Sequence, residues 1–388
     1  MFFIGLDVHQ QTSSYCILNR HGQIVKEEKV RGDWDLLLTR LAAVPRPWTV
    51  CYEASCGYGV LHDRLIKLGA KVTVAHPGKL RLIFRAKNKN DRSDARKLAK
   101  LLYLDEVPTV WVPQSEIRQW RELVEYRRRL IAQRTRAKNT LRALLRGCGI
   151  QKILLRASQA PPVAPSSRPV PAPPEVLPAS SPLPQPVSKR LWSGRGLAAL
   201  QALSLPTETA ALRRDLLLEE LEHLQTQIKR VDQNLDARSQ THPGVATLQT
   251  IPGVGPRTAE AVMAYVGDPQ RFQHSKAIGA YVGLVPCQDA SAGVNRLGHI
   301  TKDGPGTLRW LLIEAAWQGI RRSPTLKAYY QRITRHRPDR HKIALVATGH
   351  YLMRVMLALA KSGQPWRETV VEKNPWGAAS HPSPLEVP

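Results

Sequence analysis

Acidic residues are scarce in this chain: 31 Asp and Glu stand against 57 Lys and Arg, a formal charge of +26 over 388 residues. Such an excess is costly in self-repulsion unless a polyanion neutralises it. Nucleic acid is the commonest such partner, with a membrane surface or a ribosome as the plain alternatives. Cysteine is also sparse. Five are present, an odd number with no CxxC pair, which argues against a disulfide framework or a zinc site and fits a reducing cytoplasm. The opening MFFIGLDVHQ lacks the basic flank and long apolar core of a signal peptide. No stretch reads as approaching the roughly 18 apolar residues of a membrane span. The expectation is a soluble, intracellular protein with no membrane partner.

What is present divides the chain. At 388 residues and 43% hydrophobic content, two domains with connecting helices are expected. Residues 2–8, 14–19 and 24–30 read as short strands, followed by a helix near 34–43, a strand at 48–54, a helix near 58–68 and a strand at 71–76. Three antiparallel-looking strands followed by β-α-β-α is the order of RNase H-like α/β domains, an order that many α/β folds share in part. Residues 114–149 read as a long helix, with ten Lys or Arg between 118 and 146 offset only by Glu122 and Glu125. A solvated face is the bland reading; phosphate contact, by Arg128 among others, is the better one. Eleven prolines crowd 159–187 and prescribe an extended, semi-rigid spacer. Between 207 and 236, Leu217, Leu221, Leu224, Ile228, Val231 and Leu235 form a heptad seam, able to pair within the chain or with a second copy. The expected segments are 1–110 (α/β catalytic), 111–158 (basic helix), 159–190 (Pro-rich linker), 191–240 (coiled-coil helix), 241–366 (mainly α, with a helix-hairpin-helix) and 367–388 (disordered tail).

Three constellations carry chemistry. Asp7 ends the apolar run FFIGLDV, and Glu53 lies in WTVCYEA. An acid in a strand that otherwise reads as core needs a cation or a metal as partner. Asp91 and Asp94 stand three apart at a helix start and project from one face, although Asp91 can also simply cap that helix. Two strand acids with two helix acids is a layout that holds one or two Mg²⁺ or Mn²⁺ ions. Nine Lys or Arg between 79 and 100 suit a site that also receives a phosphodiester. In LQTIPGVGPRTAEAV, Gly253 and Gly255 read as a tight turn between two short helices, with Arg257 beside it. Amides at such a turn bind DNA phosphates; an ordinary αα-hairpin is the alternative. Finally, Ser291 lies in a small-residue loop followed by Arg296, Lys302 and Arg309. A serine attacking phosphorus needs such freedom and such cations, yet most loop serines are surface residues, and Cys287 is a rival nucleophile.

GLDVHQ, YEAS, NDRSDARKLA, IPGVGPRTA, GLVP and HITK-x-G…LR occur in one order over roughly 1–360. Together they resemble the DEDD-type insertion-sequence transposases with a RuvC-like N-terminal domain, the bridge-RNA-guided serine recombinases. The resemblance implies that Asp7, Glu53, Asp91 and Asp94 hold the metal and that Ser291 is the nucleophile, the acidic and serine-bearing domains forming one composite site. It also implies that donor and target double-stranded DNA are brought together by a homo-oligomer, dimer or tetramer, under a non-coding guide RNA in a bacterial or archaeal cytoplasm. Three features depart from the family pattern. Ser291-Ala292-Gly293 replaces a Ser-Gly pair, Pro305 follows Gly304 where Asn is usual, and the proline-rich insert is longer.

Overall fold

The computed structural model describes residues 1–55, 57–83, 91–150, 191–291 and 294–368. The proline-rich spacer, the tail from 369, Cys56, Ala292, Gly293 and the cations Arg85, Lys87 and Lys89 lie outside the described residues. The chain divides into two compact units, Met1–Gln119 and Trp120–Pro388.

In the first unit, β1 (Phe2–Val8), β2 (Thr12–Leu18) and β3 (Ile24–Arg31) precede α1 (Trp34–Ala42), β4 (Trp48–Glu53), α2 (Tyr58–Lys67), β5 (Lys71–Ala75), α3 (Pro77–Ile83) and α4 (Asp91–Tyr103). The sheet order is β3-β2-β1-β4-β5. β1 runs antiparallel to β2 and parallel to β4, a mixed topology compatible with an RNase H-like domain. Central strands covered on both faces read as continuous apolar runs, which explains FFIGL and WTVCY. On one face Ile4, Leu6, Val50 and Tyr52 pack with Leu37 and Leu41 of α1 and Leu61 and Leu65 of α2. Burying each such leucine contributes about 2 kcal/mol. On the other face Phe3, Cys16 and Cys51 meet Ala95, Leu98, Ala99 and Leu102 of α4. Both thiols are buried, and that burial pushes each up to about 12.

α4 lies directly on β1 because residue 5 has no side chain. A Cβ on Gly5 would collide with the Ala95 carbonyl and the Ala99 amide. The small residues Ala95 and Ala99 answer Gly5 from the helix, one turn apart.

The basic helix α5 (Ser115–Gly147) leads into the second unit, where α6 (Gly194–Gln201) and α7 (Glu208–Gln240) follow. Along the heptad seam of α7, Leu221, Leu224, Ile228, Val231 and Leu235 are buried. Ala137, Leu141 and Leu145 of α5 share a core with Leu200 and Leu221, and Arg127 donates to Asp232 at 2.5 Å. Beyond lie α8 (Pro243–Gln249), α9 (Pro256–Val266), α10 (Ser275–Val282), β6 (Pro286–Ser291), β7 (Val294–Ile300), α11 (Gly306–Arg322), α12 (Pro324–Thr334) and α13 (His341–Ser362).

Two expectations change here. The loop around Ser291 contains an antiparallel hairpin, β6–β7, exposed along almost its whole length. And α13 with the short turn before it, Pro338–Ser362, is long and apolar enough to cross a membrane, with an 18-residue window of mean hydropathy 1.6. This corrects the reading that no such stretch exists. Its Ala344, Thr348, Leu352, Met353 and Met356 are nevertheless buried at helical spacing, on the side packed against α10, α11 and α12.

Candidate functional site

The four acids occupy the end of the first unit's sheet where β1 and β4 finish. Side chains alternate across a strand, so Phe3, Gly5 and Asp7 share the α4 face, as do Cys51 and Glu53. Gly5 fixes how near α4 comes. Asp91 and Asp94 lie one turn before Ala95 and Leu98, which brings them beside Asp7. The result is legible in the carboxyl of Asp7: burial raises it above the usual aspartate value, His9 pulls it down, and the charges of Asp91 and Asp94 push it up again.

The ligand atoms of Asp7, His9 and Asp91 all lie within 4.8 Å of one another. Glu53 and Asp94 fall outside that trio; Glu53 is exposed at the tip of β4. A basic side chain meets three of these acids. His9 Nε2 is 3.4 Å from Asp7, Lys29 Nζ is 2.7 Å from Asp91, and Lys97 Nζ is 2.8 Å from Asp94. The hydrogen bond from Lys29 lowers the carboxyl of Asp91. Hard oxygen donors crowded until one carboxyl resists ionisation are a fitting environment for a divalent ion. The sequence reading missed His9, although its signal was visible: in Asp7-Val8-His9 the histidine follows the acid by two residues where the apolar strand run ends.

In the second unit Ser291 is the exposed last residue of β6, paired in register with Val294. Arg296 is exposed on β7 opposite Asp289, and Lys302 sits in a turn at φ 59°. Arg309 is engaged with backbone, donating to the carbonyls of Val282 at 3.0 Å and Gly304 at 3.2 Å. Pro305 precedes α11 as its N-cap, next to helix positions whose amides lack intrahelical partners in any case.

Gly253 and Gly255 lie between α8 and α9 with different duties. Gly253 has φ +92° and abuts the Gly319 backbone of α11, whereas Gly255 has open space around it. Arg257 is ion-paired with Asp232, Asp236 and Glu260. Arg128, half exposed, pairs with Glu125 at 3.1 Å.

An acidic end of a mixed sheet, in a chain of charge +26, fits the class of enzymes that act on nucleic acid with a divalent metal. Comparison with known proteins is narrower. Residues 4–150 match the DEDD_Tnp_IS110 family model, described as a transposase. Residues 245–331 match the model described as the transposase IS116/IS110/IS902 family. The two matches together span more than half of the chain, which belongs to the IS110 family of insertion-sequence transposases, enzymes of DNA recombination. It is similar to a probable family 20 transposase of Pseudomonas aeruginosa, 26% identical over 92% of this chain and 96% of that one. It is also similar to the transposase for insertion sequence element IS1111A of Coxiella burnetii, 26% identical over 81% and 76%. A pilin gene-inverting protein of Moraxella lacunata is 25% identical over 32% and 39%.

Proposed function

We propose that this transposase cuts and rejoins DNA through Ser291, with Mg²⁺ or Mn²⁺ held by Asp7, Glu53, Asp91 and Asp94. The observation that carries the metal reading is the approach of Asp91 and Asp94 to Asp7 across the Gly5 contact, where burial raises the Asp7 carboxyl and the two neighbouring charges add to that rise. A divalent ion there supplies positive charge to phosphodiester oxygens. The chain's own residues do the rest. The Ser291 Oγ–P bond forms as the P–O bond to the departing nucleoside breaks. The leaving oxygen takes up a proton, the serine hydroxyl gives one up, and the strand stays attached as phosphoserine. Attack by the hydroxyl of another strand restores both the serine and a phosphodiester. Arg296 and Lys302 follow Ser291 in the chain and supply cations for the crowded phosphorus oxygens. The exposure of Ser291 supports this role, because a duplex can reach it without unfolding a core.

The reading extends to partners. Donor and target duplexes meet the basic face of α5, including Arg128, and the backbone of the α8–α9 turn near Gly255 and Arg257. A non-coding bridge RNA sets the target, and a dimer or tetramer working in a bacterial or archaeal cytoplasm joins the two DNAs. The name of the Moraxella relative, which inverts a gene segment, is in keeping with strand exchange.

The test is a labelled duplex incubated with metal and the RNA transcribed beside the gene. Ser291→Ala is expected to abolish the SDS-resistant protein–DNA adduct, and Asp7→Asn and Asp94→Asn to cut strand transfer on the order of 100-fold or more. Adducts surviving Ser291→Ala exclude the serine. Nicking that survives without any adduct in the parent protein identifies a metal-only nuclease instead.

A further inference from the structure

The sequence motif GLDVHQ carries one titratable residue that the four-acid reading leaves idle. We propose that His9 supplies a nitrogen ligand to the divalent ion of the acidic site and tilts that site toward Mn²⁺ over Mg²⁺. The proposal rests on the reading above that these acids hold a metal.

The geometry is specific. His9 is the residue just after β1, two beyond Asp7; its amide donates to the Thr12 carbonyl at 3.0 Å, and its Nε2 lies 3.4 Å from the Asp7 carboxylate. Two atoms bound to one ion at about 2.1 Å each stand roughly 3 Å apart. The imidazole and the Asp7 oxygen are therefore close to the separation that shared coordination requires. Asp91 completes the trio within 4.8 Å. Glu53 and Asp94, two of the four acids expected from the sequence, are not in it. The nearest set of donors is thus two carboxylates and one imidazole.

A second observation points to a ligand here. Ser14 stands opposite Asp7 in the β1–β2 register, and its parity with Cys16, which packs under α4, places it on the same face. It is 1% exposed, and its hydroxyl has no hydrogen-bond partner. A buried hydroxyl left unpaired carries a desolvation cost that native interiors rarely tolerate. An ion's water shell beside Asp7, or an Asp7 oxygen reoriented by that ion, gives this hydroxyl its partner.

Donor chemistry then sets the preference. Mg²⁺ demands an octahedron of oxygens and gives up water reluctantly. Imidazole suits transition ions better than Mg²⁺; Mn²⁺ shares the preference of Mg²⁺ for carboxylates but, as a transition ion, is the one of the two that takes a nitrogen donor more readily. The competing explanation is that His9 acts as a counter-ion to Asp7 and never touches a metal.

The two are separated by titrating the full-length protein with Mn²⁺ and, separately, with Mg²⁺. Affinity is read from the metal-dependent melting temperature, and ligation from electron spin-echo modulation of bound Mn²⁺ by a directly attached ¹⁴N. The parent protein is expected to show the nitrogen coupling. His9→Ala, melting like the parent without metal, is expected to lose it, to weaken Mn²⁺ roughly tenfold or more, and to change Mg²⁺ by less than about threefold. His9→Asp is expected to bind Mg²⁺ at least as well as the parent. No nitrogen coupling in the parent, or unchanged Mn²⁺ affinity in His9→Ala, overturns the proposal. Asp7→Asn keeps the outcomes distinct. If it abolishes Mn²⁺ binding while His9→Ala retains it, only the His9 ligand is wrong. If Asp7→Asn also binds normally, the acidic metal site itself is wrong.

Discussion

Gly5 of β1 and Ala95 of α4 meet backbone to backbone, so that a methyl group on Gly5 would overlap the Ala95 carbonyl oxygen. The acids depend on this contact because Asp7 is one pleat beyond Gly5 and Asp91 one turn before Ala95. Gly5→Ala is expected to destabilise the first unit by about 3 kcal/mol, the upper range for forcing a methylene into a packed contact. Urea unfolding followed by circular dichroism measures it. A loss below about 1 kcal/mol would show that α4 shifts freely and that the contact does not set the position of the acids.

Gly253 and Gly255 allow a paired comparison. The first has φ +92° and presses on the Gly319 amide, while the second has an open surround and φ −87°. Gly253→Ala is expected to cost about 2–4 kcal/mol through strain and overlap together. Gly255→Ala is expected to leave stability within about 1 kcal/mol and to act only on DNA affinity. Thermal melting and filter binding of the two variants decide the matter; equal melting temperatures contradict it.

Lys29 competes with any cation for Asp91, at 2.7 Å. Both partners are about two-fifths exposed, so the pair itself is worth little. Lys29→Gln is expected to tighten Mn²⁺ binding by a small factor, roughly two- to fivefold. Weaker binding in that variant would mean that Lys29 orients Asp91 instead of blocking it.

Acid should weaken the second unit before its carboxylates titrate. Burial lowers His242 and His350 from the ordinary value of 6.5, with Arg354 adding to the effect on His350. Below about pH 6.5 the unfolded chain takes up protons that the folded one refuses, so stability present at pH 7–8 declines as pH falls toward 5. Glu260, raised by burial, works in the opposite direction, which makes a single-residue control necessary. His350→Gln is expected to flatten the decline of the urea midpoint between pH 7.5 and 5.5. An unchanged slope assigns it elsewhere.

The first unit was largely legible because its signals are local. Central strands buried on both faces must be continuous apolar runs, and the acids stood out as charges at their ends. α4 announced itself through Asp91-x-x-Asp94, two acids three apart at a helix start. The second unit concealed more. β6 and β7 have no apolar face, so the alternation that betrays a strand is missing from PCQDAS and VNRLGHI. The Leu221–Leu235 seam specified that α7 has a partner, but a periodicity carries no record of which helix fills it. Arg257 and Arg309 read equally well as phosphate contacts. Only folding shows the carboxylates of Asp232, Asp236 and Glu260 around one, and the carbonyls of Val282 and Gly304 around the other.

The placement of the thiols has a practical consequence. Cys16 and Cys51 lie beneath α4, protonated and shielded, and Cys148 is partly covered, whereas Cys287 stands in the open on β6, four residues before Ser291. Among the described cysteines, a maleimide fluorophore or spin label therefore has one ready address. Attached there, it makes the protein its own reporter: a duplex reaching the hairpin, as proposed for Ser291, would change an optical or magnetic signal while Ser291 and every acid stay unaltered.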